Sequence, residues 1–191
     1  MRFLLSAFAG FIIFFCAQAF AGGPVFDANI FYFSDTFTYS STTTTVKRTM
    51  WDFCLCMNLS KKGQLVLGWN YDSMAFDDNP GTATKLTVSD MGPKIIYYVN
   101  KDRTIPIGFT YDLITKGQYT AGTAQAVELR GSAMKVDFGY TPEISEGFLM
   151  GFKFNYYKPS FAESVQNTTI TKTTNSRAVI YPTFSMTYRF D

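Results

Sequence analysis

The chain has 191 residues, 47% apolar and 18% aromatic, with only 17% charged and a formal net charge of +2. That length fits one domain, and the low charge without any Lys/Arg block argues against a nucleic-acid partner held by its phosphates. Histidine is absent altogether, which removes the commonest general base of enzymes.

Residues 1–21 read as an export signal. Arg2 supplies the charged start, residues 3–15 the apolar stretch, and Ala17-Gln18-Ala19 and Ala19-Phe20-Ala21 the small-x-small cleavage sites. Phe15 stands before Cys16 where a lipoprotein signal wants a small residue, so no lipid anchor is expected. The folded domain is expected at 22–191, and no later run reaches the roughly 18 apolar residues of a membrane helix.

From there an alternation of period two recurs, the mark of strands with two unlike faces. The first strand is expected at 27–39, with aromatics on both faces and its orientation open. The second, 46–59, sets Trp51, Phe53, Leu55 and Met57 against Arg48, Asp52, Cys54 and Cys56. Those cysteines lie at i and i+2 on one face, a spacing read as poor for bridging, so they are expected as small interior residues. Without histidine or further cysteines they make neither a disulfide framework nor a zinc site. The third strand sets Leu65, Leu67, Trp69 and Tyr71 against Gln64, Gly68, Asn70 and Asp72. The fourth, 86–99, sets Ile95 and Tyr97 against Gly92 and Lys94, and Pro93 within it suggests a bulge.

Ile107, Phe109, Tyr111 and Leu113 mark the fifth strand, opposite Thr110 and Asp112. The sixth, 127–140, opposes Val136, Phe138 and Tyr140 to Lys135, Asp137 and Gly139. The seventh, 148–156, opposes Phe152, Phe154 and Tyr156 to Gly151, Lys153 and Asn155. The last, "YPTFSMTYRFD", opposes Phe184, Met186, Tyr188 and Phe190 to Thr183, Ser185, Thr187 and Arg189. Short turns ("SKKGQ", "NKDRT", "TPEISEG") alternate with longer polar stretches ("SSTTTTV", "DDNPGTATK", "KGQYTAGTAQ", and 160–176), as in an up-and-down barrel with its two ends on opposite sides of a membrane.

Alternation alone also fits a soluble barrel turned the other way. The apolar faces here carry large aromatics, the opposite faces mix glycine with charge, and Tyr71, Tyr111, Tyr140 and Tyr188 fall where interfacial girdles would lie. A closed barrel also pairs every amide without water, as lipid demands. The expected fold class is an all-β, transmembrane up-and-down antiparallel barrel of about eight strands. With its signal segment and terminal aromatic strand, the chain resembles small bacterial outer-membrane barrels of the OmpA/OmpX/OmpW type over nearly its whole length after residue 21. The resemblance implies residence in the outer membrane, contact with its lipid and lipopolysaccharide, and insertion by the barrel-assembly machinery. Met186, Tyr188 and Phe190 match the family's assembly signal, although Asp191 follows where the usual pattern ends on the aromatic.

With the polar faces inward, the lumen receives Arg48, Asp52, Asp72, Lys94, Asp112, Lys135, Asp137, Lys153 and Arg189. Acids and bases there are close to balanced, and eight strands leave a bore that side chains can fill, so a plug of mutually paired charges is expected. Asp77 and Asp78 in "FDDNPG" read as solvated turn residues. No enzymatic activity, cofactor or metal is expected. Two functions remain: a structural or surface-interaction barrel whose outer loops meet an extracellular partner, or a small porin-like barrel passing ions or small apolar solutes.

Overall fold

The computed structural model describes residues 23–39, 42–60, 62–79 and 83–190; the expected signal at 1–21 lies outside them. The alternating segments become β1 (Pro24–Tyr39), β2 (Thr42–Asn58), β3 (Leu65–Asn79), β4 (Thr84–Tyr98), β5 (Pro106–Ala121) and β6 (Val127–Tyr140). A short β7 (Glu143–Ser145), a long β8 (Phe148–Gln166), β9 (Thr169–Ser176) and β10 (Val179–Arg189) complete the chain. Every pairing is antiparallel between neighbours, from β1 through β6 to β8 and β10. β10 then pairs with β1, Val25 opposite Arg189 through Ile30 opposite Phe184, and closes a ring of eight strands. β7 and β9 are additions along β8.

The terminal end of the barrel holds Pro24 and Arg189, and the distal end lies opposite. At the terminal end β2 connects to β3, β4 to β5, and β6 through β7 to β8. At the distal end the structure departs from the expected long loops. The Thr- and Ser-rich stretches are strand: β2 begins at Thr42, and 160–176 is a β8–β9 hairpin turning at Asn167 and Thr168. Both turn residues have positive φ, 48° and 69°, the twist that a two-residue hairpin turn requires. Threonine is a good strand former, and polar strand extensions are stable wherever both faces meet water.

Two irregularities have local causes. The bulge expected at Pro93 is present, since the register shifts between Met91 and Lys94, but the extra residue belongs to β5. A matching shift follows Asp112 on the β6 side, and Leu113 and Ile114 consequently both face outward. The β1–β10 ladder also stops early. Its next pairs would set Phe31 against Thr183 and Tyr32 against Pro182, and proline has no N–H to give a ladder. Residues 31–39 pair only with β2 and 179–183 only with β8, which leaves a notch in the distal wall. Aromatic contact bridges it instead, with the Phe31 and Tyr181 rings 5.8 Å apart.

Candidate functional site: a stratified lumen

Outward positions carry the large apolar side chains, with Trp51, Trp69, Ile95, Phe109, Phe138, Phe152, Phe154 and Ile180 at 43–74% exposure. Inward positions are polar at mid-height and buried. A water-soluble fold does not put its aromatics outside and its lysines inside, whereas a closed barrel in lipid must do so. This is a transmembrane β-barrel of outer-membrane architecture.

Along β2 the inward side chains run Cys56, Cys54, Asp52, Met50 and Arg48; along β3 they run Val66, Asn70, Asp72, Met74, Phe76 and Asp78. The neighbouring strands repeat the order, so the interior is layered. At the terminal end lies an apolar layer of Val25, Cys54, Cys56, Val66, Ile96 and Tyr98. Above it is an ionic layer, then a second apolar layer with Met50, Met74, Phe76, Leu86, Val88, Leu129 and Phe161. A rim of two arginines and one aspartate lies at the distal mouth.

The ionic layer is built on three lysines. Lys153 Nζ donates to both oxygens of Asp27, at 2.7 and 2.8 Å. Lys94 Nζ lies 3.1 Å from Asp27 Oδ2, 3.6 Å from Asp52 Oδ1 and 3.7 Å from Asp137 Oδ2. Lys135 Nζ pairs with Asp72 and lies 3.2 Å from Asp52 Oδ2. Neutral donors finish the carboxylates: Asn29 reaches Asp27 at 3.1 Å and Asp52 at 2.8 Å, Thr187 reaches Asp27 at 2.7 Å, and Asn70 donates to Asp72. Gly108 makes room here, because a Cβ on it would sit 2.1 Å from Asp137 Oδ2.

All nine lumen charges expected from the strand pattern point inward, but they do not form one network. Asp52, Asp72, Lys94, Lys135, Asp137 and Lys153 belong to the ionic layer. Arg189 is buried at the terminal end, where its Nη2 donates to Glu143 Oε2 at 2.8 Å. Arg48 belongs to the distal rim, 2.5 Å from Asp78. Asp112 is buried, yet neither of its oxygens accepts a hydrogen bond from the described residues. The register explains its isolation: Thr110 stands opposite both Lys94 and Lys135, and Asp112 lies one inward position further out.

The expected balance of charge needs correction as well. With Asp27 and Asp90 added, six buried aspartates (27, 52, 72, 90, 112 and 137) surround three buried lysines. Asp90 takes a hydrogen bond from the Tyr157 hydroxyl in place of a cation. Asp77 and Asp78, expected in a turn, lie on β3, and Asp78 is shared by Arg48 and Arg177.

A second correction concerns Cys54 and Cys56, which are disulfide-bonded. Strand coiling brings their Cα atoms to 5.9 Å, within the range a disulfide spans. The closed loop contains only Leu55, so the bond removes little chain entropy from the unfolded state. Replacing both cysteines by alanine is expected to cost less than about 2 kcal/mol by guanidinium unfolding in vesicles; a larger loss would mean that the bond shapes the strand.

Met186, Tyr188 and Phe190 all face outward on the closing strand, and the Phe190 ring meets Phe26 of β1 at 5.5 Å. Among the described residues no group of three or more acidic or cysteine side chains is placed to hold a metal ion.

No protein-family model and no curated protein sequence matches the chain. Among solved structures it is similar to Neisserial surface protein A, at 12% identity and a TM-score of 0.47, over 89% of this chain and 96% of that one. It is also similar to the outer membrane protein AlkL, solved by solid-state NMR in lipid bilayers, at 8% identity and a TM-score of 0.43, over 90% and 92%. A third likeness, to the outer membrane protein OmpT of Vibrio cholerae, has 11% identity and a TM-score of 0.29, and covers 52% of that chain.

Proposed function

We propose that the protein is a non-conducting, non-enzymatic outer-membrane barrel whose distal end carries a structural or surface-interaction role. One observation carries the reading: the ionic layer fills the bore. Asp27, Asp52, Asp72, Lys94, Lys135, Asp137 and Lys153 are each no more than 4% exposed, and apolar layers lie on both sides of them. An ion crossing such a lumen would have to separate buried pairs, at a cost of several kcal/mol each.

What remains for contact with the surroundings is the distal end, where the β1–β2 and β8–β9 hairpins extend the wall in Thr- and Ser-rich strands that also expose Tyr32, Phe33, Phe37 and Ile170. The partners that fit are lipopolysaccharide beside the wall and an extracellular partner at the hairpin tips. The outward aromatic face of β10 supports reading Met186, Tyr188 and Phe190 as the signal for the assembly machinery.

The test is single-channel recording in a planar bilayer, with folding confirmed by heat-dependent gel mobility. A folded, silent protein is the expected result. Discrete, reproducible steps that change when Lys94 or Asp112 is replaced would replace this reading with that of a small porin-like barrel.

A further inference from the structure

We propose that the distal cavity binds a single-chain anionic amphiphile, its chain against Leu86, Val127, Leu129 and Phe161 and its head on the Arg177 guanidinium. The cavity holds about 730 Å³, and those four side chains with Tyr119 form its apolar part. That is the size of a small-molecule site, and its wall is two-sided: the other half of the lining is polar, with Ser164, Gln166, Asn175, Ser176 and Arg177. Its remaining lining is neutral except for Arg177. The single ionised group in the wall is therefore a cation.

Arg177 is held in place but incompletely neutralised. It sits in the break between β9 and β10, where its backbone N–H donates to Pro159 O at 3.2 Å. Its guanidinium lies 4.1 Å from the centre of the Phe76 ring, which also receives Arg48 at 5.4 Å. Both arginines draw on one carboxylate, Asp78, and Arg48 has the shorter contact, 2.5 Å against 3.3 Å. Two guanidiniums on one carboxylate leave a unit of positive charge at the mouth. Arg177 is also the more exposed of the two, at 34% against 17%. A planar, preoriented guanidinium with spare donors suits a carboxylate or phosphate head. The apolar wall beside it fixes the rest of the ligand: an alkyl chain joined to that head. Nothing here depends on whether the hairpin tips meet a protein partner.

Dodecanoate is the probe, titrated against the protein in phosphatidylcholine vesicles by calorimetry, with protein-free vesicles subtracted and 1-dodecanol and butyrate in parallel. One saturable site for dodecanoate is expected, with both controls much weaker. Arg177→Met should weaken dodecanoate about tenfold, the loss of one charge-assisted contact, and leave 1-dodecanol unchanged; Arg177→Lys should restore part of the affinity. Val127→Asp, which sets a carboxylate in the same wall without touching the arginine pair, should abolish binding in a barrel whose gel mobility shows it folded. No saturable binding, equal affinity for dodecanol, or indifference to both variants would overturn the proposal. Vesicles doped with phosphatidylglycerol should bind dodecanoate as before; loss of binding there would give the cavity to bilayer lipid and overturn the single-chain assignment.

Discussion

Replacing Asp27 by alanine is expected to destabilise the barrel by about 3–5 kcal/mol, the cost of stranding a buried partner. Asp27 receives Lys153 through both oxygens, and Lys94, Thr187 and Asn29 besides. It is the carboxylate paired with Lys153 among the described residues. Without it one buried ammonium loses its counter-charge and Lys94 keeps only its two longer contacts. The residue also stands at the seam, directly opposite Thr187 in the short β1–β10 ladder, so the loss falls where the ring is least reinforced. Guanidinium unfolding in lipid vesicles, followed by tryptophan fluorescence, gives the number. Asp35→Ala on the exposed distal part of the same strand is the control and should stay within about 0.5 kcal/mol of the parent. Equal midpoints for the two variants would show that the seam does not depend on the ionic layer.

That Asp27 escaped the sequence pattern has a physical cause. A strand reveals its facing when one side meets lipid and the other the lumen. The part of β1 beyond Ile30 has no β10 neighbour, and there Tyr32 and Phe33, adjacent in sequence, are both exposed. Aromatics on both faces conceal the clean alternation of Val25, Asp27 and Asn29 inward. Two strands that keep both neighbours at mid-height were legible: Lys135 and Asp137 against Val136 and Phe138, Lys153 and Asn155 against Phe152 and Phe154.

Other features required three dimensions. In the apolar layer Met74, Phe76 and Val88 each stand next to a charged residue on the same strand face, Asp72, Asp78 and Asp90, and a period-two reading sees the face without its zones. The rim cluster joins Arg48, Asp78 and Arg177 across sequence separations as long as 99 residues, which no local pattern reports. The end of the closing ladder was legible in principle, since Pro182 stands in the last strand and cannot donate.

Lys135→Met carries the second large effect and separates pairing from mere filling of the bore. Methionine replaces most of the lysine's volume, so a lumen held by packing alone would lose under about 1.5 kcal/mol. Pairing predicts about 3–5 kcal/mol: Asp72 would keep only Asn70, and Asp52 only Asn29 and the longer contact to Lys94. Asp72→Asn alone should cost less, because Lys135 retains Asp52 at 3.2 Å. In the double variant the charge opposite the missing ammonium has gone too, so its loss should fall short of the sum of the two single losses by more than about 1 kcal/mol. Strict additivity would mean that the lysine and aspartate do not sense each other, and would leave the bore filled but not electrostatically locked. A coupling of the expected size would tie the barrel's stability to the contacts that an ion would have to break to cross it.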